Sequence, residues 1–328
     1  MKKISLAGTE TQPTSATSAA NKRNAARARK LVLDVTRRHF GESARRVVEC
    51  AGGLTNAVYS LKVSRGEFIV RTHEDPTKIH DYLKEQWGMD AAREVGVPTP
   101  RVLEVGNFAD GRPYMVAEKI RGIEGPAAPD RLGLIEQMGR AASCLHKIRT
   151  HGFGTVFDWS SNSLSRHETW AGYIADGFDV EGRIKILLRY RMVNLRQAEI
   201  LRRTAARVTR WRQRPGLHHG DLRLKNVLVD QDTGRIAALI DWESCASMPG
   251  STWDLSLALH DLGIDDKEAF LTGYGMKPKT YTDALAFIRC FNMLNYAHAV
   301  RSAGEQKEHK CLAWLRLHLA GALDLYEP

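Results

Sequence analysis

The sequence predicts an α+β fold of two lobes, a small antiparallel β-sheet with one helix followed by a larger, mostly helical lobe. Three observations predict it. The 328 residues exceed one small domain and suit two. Residues 42–121 spell β-β-β-α-β-β, an order that suggests an antiparallel sheet with a helix packed on it. From Pro129 onward apolar residues recur at three and four, the helical period.

Residues 1–21 are rich in Ser, Thr, Ala and Gly without periodicity and read as a disordered tail. From Asn21 the chain turns basic and helical, with Leu31, Val32, Val35 and Phe40 at helical spacing and Gly41 as the stop. Val47–Cys50, Ala57–Val63 and Glu67–Arg71 follow as strands. Pro76 opens a helix that runs to about Glu94 and is stopped by Gly96 and Pro98. Val102–Val105 and Tyr114–Ile120 are two more strands around an Asp110-Gly111 turn. The lobes should part near Arg121-Gly122, giving a first lobe over 22–121 and a second over 122–328.

In the second lobe Leu132, Ile135, Met138, Ala142, Leu145 and Ile148 form an amphipathic stripe. A long helix is expected over 183–213. The short strands Val227–Val229 and Ile236–Ile240 are joined by Asp232-Thr233-Gly234. Helices are expected over 253–262, 266–274, 281–303 and 308–325.

Composition excludes several classes. Hydrophobic residues are 43% and charged residues 26%, as in soluble globular proteins. No apolar run approaches the roughly 18 residues of a bilayer span, and the N-terminus lacks an apolar secretory core. The five cysteines form no CxxC pair, so a zinc or redox site is not expected. Their odd count and spacing suit reduced thiols in a cytoplasm.

The chemistry concentrates in Leu217-His218-His219-Gly220-Asp221-Leu222-Arg223-Leu224-Lys225-Asn226-Val227-Leu228-Val229. Asn226 stands five residues after Asp221 and directly before an apolar strand. Fifteen residues beyond it a second strand ends in Ile240-Asp241. Two oxygens at strand ends joined by a hairpin can converge on one ion, and hard oxygen ligands suit Mg²⁺. Asp221 would then sit where a substrate hydroxyl can give up its proton. These are the parts for phosphoryl transfer. Each residue alone reads as a turn former. The joint pattern of His-Gly-Asp, Asn, strand, hairpin, strand and Ile-Asp-Trp-Glu is far more specific.

This segment resembles the aminoglycoside phosphotransferase and choline kinase-like family, the small-molecule branch of the protein-kinase-like fold. The family run HGDxxxxN, IDxE and DLA is similar to His219-Gly220-Asp221, Asn226, Ile240-Asp241-Trp242-Glu243 and Asp254-Leu255-Ser256. The resemblance covers about residues 45–325. It implies a two-lobed protein-kinase-like fold and ATP- or GTP-dependent phosphorylation of a small-molecule hydroxyl. It makes Asp221 the catalytic base, Asn226 and Asp241 the Mg²⁺ ligands, and Asp254 a brace of the catalytic loop.

The resemblance also assigns a nucleotide site. Arg71 ends the third strand where the family places a phosphate-binding Lys or Arg. Arginine stays charged and binds phosphate bidentately, so the departure from lysine is compatible with function. Glu85 in the next helix would orient it. Gly53, Thr55 and Asn56 lie in the turn that would cover the phosphates, where small residues let backbone N–H groups approach. Glu118 and Ile120 flank the hinge that would pair the adenine edge. Arg223 could place positive charge near the transferred phosphoryl group. Gly152-Phe153-Gly154 with Trp170 resembles a segment of hygromycin-type antibiotic kinases.

Family members phosphorylate aminoglycosides, choline, homoserine and nucleoside antibiotics, and fold does not choose among them. An aminoglycoside-like antibiotic, implying resistance, is the first expectation. A nucleoside antibiotic or a metabolite such as choline or homoserine is the alternative. A polycationic acceptor calls for carboxylates such as Asp176, Asp179, Glu243, Asp261, Asp265, Asp266 or Glu268. A silent pseudokinase-like binding module would lack Asp221, Asn226 or Asp241, and all three are present. Monomer and homodimer both remain open.

The net charge of +10 could suggest nucleic acid. No nucleic-acid motif accompanies the arginines, so neither nucleic acid nor membrane is expected as a partner. Residues 1–30 hold seven basic and one acidic residue, and residues 183–214 hold eleven and one. The other 266 residues are therefore mildly acidic.

Overall fold

A computed structural model describes residues 15–50, 57–157, 164–260 and 262–323. The chain divides into two compact units, Met1–Leu83 with Pro100–Lys119 and Lys84–Thr99 with Ile120–Pro328.

The first unit starts with α1 (Ser15–Phe40). It begins ahead of the expected Asn21, so residues 15–20 are helical and not tail; residues 1–14 lie outside the described residues. Gly41 ends it at φ +71°, a conformation that costs glycine nothing. Strands β1 (Arg46–Glu49), β2 (Ala57–Val63) and β3 (Gly66–Thr72) follow. The Asp75 carboxylate accepts the Thr77 N–H at 2.9 Å and Pro76 starts a 3₁₀ turn, which leads into α2 (Ile79–Glu94). The first turn of α2 belongs to the first unit, and the helix from Lys84 onward to the second. Strands β4 (Val102–Asn107) and β5 (Pro113–Glu118) complete an antiparallel sheet of order β1-β2-β3-β5-β4.

The alternation in β2 buries Tyr59, Leu61 and Val63 on one face. Those side chains pack with Val32, Val35 and Phe40 of α1. The sheet therefore carries α1 as well as the start of α2, where the sequence assigned it one helix. Arg38 and His39 of α1 both reach Glu104 on β4, His39 at 2.6 Å.

The second unit contains β6 (Ile123–Glu124) and α3 (Arg131–Leu145), capped by the Asp130 side chain. Helix α4 (Trp170–Gly172) runs into a π-helical turn over Tyr173–Gly177. The single helix expected over 183–213 is two, α5 (Val180–Arg189) and α6 (Leu195–Val208). Arg191 at φ +56° breaks the run, and Asn194 with Gln197 forms a capping box that restarts it. Strands β7 (Pro215–His218), β8 (Val227–Val229), β9 (Ile236–Leu239) and β10 (Ala246–Pro249) frame the segment around Asp221. They form two small sheets, β6-β8-β9 and β7-β10. Helices α7 (Thr252–Ala258), α8 (Ile264–Tyr274), α9 (Pro278–Asn295), α10 (Ala297–Glu305) and α11 (His309–Leu323) finish the chain. The run expected over 281–303 thus divides at Tyr296.

A buried aromatic cluster of Phe153, Trp170, Tyr173, Phe178, Trp253 and Phe291 fills this unit. The Trp170 indole N–H donates to the Val208 carbonyl at 2.9 Å, which satisfies its one polar atom. Among the described residues no helix is long and apolar enough to cross a membrane. No disulfide joins the five cysteines.

Candidate active site

The site is built where β7 ends. Gly220 turns the chain at φ +80°, and a Cβ there would lie 1.9 Å from the Ser244 carbonyl oxygen. Only glycine meets both conditions.

Asp254, in the first turn of α7, holds this turn by its backbone. Its Oδ2 accepts the His219 N–H at 2.9 Å and its Oδ1 the Gly220 N–H at 2.8 Å. His146, just beyond α3, adds a bond from Nε2 at 3.1 Å, and its Nδ1 meets the Tyr274 hydroxyl at 2.9 Å. Burial works to raise the Asp254 carboxyl, but the His146 bond and the surrounding imidazoles outweigh it and hold the group well below the usual range. The position is the one the resemblance gives to a brace.

The paired histidines are structural. Burial, with His146 beside it, pushes His218 down to about 3. Its ring stacks on His146 at 4.1 Å, and its Nε2 bonds to the Gly250 carbonyl at 2.9 Å. His146, His218 and Asp254 have metal-ligand proximity, but their stacked rings and shared hydrogen bonds make them a buried brace. In His219 the Nδ1 accepts the Asp221 N–H at 3.3 Å, so Nε2 carries the proton and donates to the Ile240 carbonyl at 3.1 Å. Burial lowers its pKa as well. This ring ties the start of the loop to the end of β9.

Asp221 is thereby fixed with three donors on its carboxylate. Arg223 Nε bonds Oδ1 at 2.5 Å, and Lys225 Nζ and Asn226 Nδ2 reach Oδ2 at 3.0 and 2.9 Å. Burial pushes the carboxyl up, but Arg223 and then Lys225 more than cancel it, so Asp221 is ionised at neutral pH. Arg223, expected near a phosphoryl group, here spends its Nε on Asp221.

Asn226 Nδ2 also donates to the Asp221 carbonyl at 2.8 Å. With both amide protons committed, Oδ1 is the atom left for a ligand. The Ile240 N–H donates to the Asn226 carbonyl at 2.9 Å, and Val227 pairs with Leu239. Asn226 and Asp241 therefore stand together at the open end of the β8–β9 hairpin. Asp241 is left-handed at φ +67°, a strained conformation for a side chain with a Cβ. The buried Trp242 next to it bonds the Leu239 carbonyl at 2.9 Å and packs under His219.

A residue the sequence did not signal supports this turn. Lys84, 3% exposed, donates from Nζ to the Glu243 carbonyl at 2.7 Å and to the Thr155 carbonyl at 2.9 Å. Cys245 packs its sulfur on the Lys84 carbonyl. The second half of α2 thus clamps the segment just after Asp241. A lysine in an amphipathic helix reads as a solvated face, so only packing reveals it. His146 was missed similarly, as a residue just past a helix end.

The nucleotide candidates are placed as follows. Arg71 is on β3 of the first unit, its guanidinium 5.4 Å from the Tyr82 ring centroid. Glu85 is buried on α2 within the second unit. Glu118 ends β5, and its N–H is used by the Arg101 carbonyl at 2.9 Å. Ile120 follows at the start of the second unit. Gly53, Thr55 and Asn56 lie outside the described residues. Of the acidic candidates, Asp266 is held by Arg131 at 2.8 Å and Asp179 caps α5. Asp176, Asp265 and Glu268 are exposed, and Asp261 lies outside the described residues.

The sequence profile of the phosphotransferase enzyme family matches residues 46–288. No curated protein matches the sequence. The crystal structure of aminoglycoside phosphotransferase APH(4)-Ia is 16% identical, with TM-score 0.69 over 90% of this chain and 98% of that one. A thermostable mutant of APH(4)-Ia in ternary complex with ADP and hygromycin B is also 16% identical, with TM-score 0.67 over 89% and 98%. The GDP complex of aminoglycoside 2'-phosphotransferase-IIIa is 14% identical, with TM-score 0.61 over 89% and 97%. At these identities the likeness is one of fold.

Proposed function

The chain belongs to the phosphotransferase enzyme family and takes an alcohol group as acceptor, and on that premise we propose that it moves the γ-phosphoryl group of ATP or GTP onto a hydroxyl of a small antibiotic of aminoglycoside or aminocyclitol type, as a cytoplasmic resistance enzyme. The observation that carries the reaction is the ionised Asp221, hydrogen-bonded to Asn226 at the end of the hairpin that also presents Asp241. The complexes of similar folds with hygromycin B support the acceptor class. A nucleoside antibiotic, or a metabolite such as choline or homoserine, is the competing acceptor.

In this reading Asp221 orients the acceptor hydroxyl and takes its proton. The hydroxyl oxygen bonds to the γ-phosphorus while the bond to the β–γ bridging oxygen breaks. A carboxylate held this acidic accepts the proton only as the new bond forms and the hydroxyl acidifies. The donor set of Asn226 Oδ1 and the Asp241 carboxylate fits Mg²⁺, which when bound neutralises charge on the phosphates. Arg223 holds Asp221 before the acceptor arrives and lends positive charge to the transferred group. Arg71 supplies the positive charge for the α- and β-phosphates.

A nucleotide-consumption screen of the purified protein against aminoglycosides, nucleosides and amino-alcohols tests the acceptor. Turnover with an aminoglycoside is expected. Turnover with a nucleoside alone overturns the acceptor class. Asp221→Ala should abolish transfer and leave nucleotide affinity within about threefold. Near-normal turnover in that variant refutes the assignment of the base.

A further inference from the structure

Helix α6 has two unlike faces. Ala198, Leu201, Thr204, Ala205 and Val208 are buried. The Trp170 indole N–H holds the Val208 carbonyl at 2.9 Å, and the Trp211 ring just past the helix packs on Phe287 at 5.0 Å. Arg203, Arg207 and Arg210 follow one another at helical spacing on the exposed side, and Arg212 and Arg214 continue in the exposed turn before β7. The Arg207 guanidinium rests over the Phe287 ring at 5.1 Å. From Leu195 to Arg214 the chain holds seven arginines, no lysine and one acid, Glu199.

The excess is too large for the fold to cancel. Glu199 is shared by Arg203 at 2.9 Å and Arg202 at 3.9 Å, and Glu181 of α5 reaches Arg202 at 2.9 Å. Residues 183–214 carry eleven basic residues against the single acid Glu199. The residues outside those described hold five acids, Glu10, Asp158, Asp261, Asp324 and Glu327. Pairing every one of them here, with Glu181, would still leave the face positive. Like charges three and four residues apart destabilise a helix, a cost that a polyanion removes.

The chemistry of the partner follows from what the face contains. Guanidinium forks bind phosphate oxygens bidentately, and arginine without lysine suits that geometry. Between Arg203 and Arg214 the other exposed side chains are Ala206 and Gln213, because Trp211 is turned onto Phe287. A protein interface would bring aromatic or apolar anchors at its centre, and a membrane surface would take apolar side chains between the cations. Helix α6 packs against α5 and α9, so it stays on the body and meets a duplex along its phosphates. An A-form duplex brings two phosphate rails close across a narrow major groove, which suits a row of guanidiniums. We propose that this face docks on the phosphate backbone of duplex RNA without reading its bases. The sequence holds no base-reading motif, and contacts to phosphate need none. The proposal goes beyond the phosphotransferase reading and does not depend on it.

The test is fluorescence anisotropy of a labelled RNA duplex of about 20 base pairs, titrated with the full chain between about 50 and 200 mM KCl. Saturable binding is expected, weakening by about 10²–10³ over that range as roughly four or five phosphate contacts are screened. Arg207→Gln with Arg210→Gln, and separately Arg212→Gln with Arg214→Gln, should each weaken binding at least tenfold at about 50 mM and flatten the salt slope by about two. The corresponding lysine pairs should keep the slope and lose less affinity. Lys279→Gln, at an exposed cation of α9, should bind as the parent does. Should the Arg207 pair fail to fold, the Arg212 pair, which lies outside the helix, carries the comparison. No saturable binding at about 50 mM, or binding unchanged in both glutamine pairs, overturns the proposal. So does equal or tighter binding to a DNA duplex of the same sequence, to phosphatidylserine vesicles or to polyglutamate, which would assign the face to another partner. Turnover is not read, so loss of the acceptor assignment would leave this result standing.

Discussion

Replacing Asp254 with asparagine probes the brace of the catalytic loop with little change of volume. The carboxylate accepts the His219 N–H at 2.9 Å, the Gly220 N–H at 2.8 Å and His146 Nε2 at 3.1 Å, all of it buried. Asparagine supplies one oxygen, so its NH₂ group must face a donor. One backbone N–H then loses its acceptor, at about 1–3 kcal/mol, and the charge-assisted bonds become neutral ones at a similar loss. The sum, about 2–6 kcal/mol, is a large part of an ordinary domain's stability of about 5–15 kcal/mol. Urea unfolding followed by tryptophan fluorescence should show the midpoint falling with an unchanged slope. Since Gly220 adjoins Asp221, kcat should also fall at least tenfold while nucleotide affinity holds. A variant within about 1 kcal/mol of the parent and with full turnover would refute the brace.

Gly220→Ala should lose both folding yield and turnover, since its Cβ would meet the Ser244 carbonyl at 1.9 Å; a normal Tm sinks this. The buried His218 gives stability a pH slope. Its folded pKa of about 3 lies below the unfolded value of about 6.5, so within that window the unfolded chain binds a proton the folded chain refuses. Stability should therefore fall as pH drops from 6.5 towards 3, by up to ~1.4 kcal/mol per pH unit from this group. Asp254, held below the usual carboxylate range, adds a loss in the same direction from about pH 4 downward. Unfolding midpoints that stay flat from pH 7 to 4 would contradict this. Lys84→Met should raise the Mg²⁺ requirement roughly tenfold by loosening the turn after Asp241, with restoration by Lys84→Arg. Steady-state kinetics at varied Mg²⁺ would read this, and an equal change in every parameter would point to general destabilisation.

Much of the candidate site's local structure was legible in the sequence. Asp221, Asn226 and Asp241 fall at fixed intervals around a hairpin because a turn, two strands and an open end set their spacing. The period of two in β2 and the caps around α2 likewise depend on neighbours in the chain. The four-residue strands β7 and β10 escaped notice because both are nearly buried throughout and show no alternation. The break between α5 and α6 rests on one left-handed residue, Arg191, which no periodicity marks.

By itself the sequence determined the family and the order of most elements. Only tertiary structure decided what holds the candidate site in place. His146, Asp254 and Lys84 are far apart in the chain and meet around the candidate site through buried hydrogen bonds. The physical reason is range. Turn chemistry and periodicity act over a few residues, whereas desolvation and buried hydrogen bonding depend on neighbours that folding alone brings together.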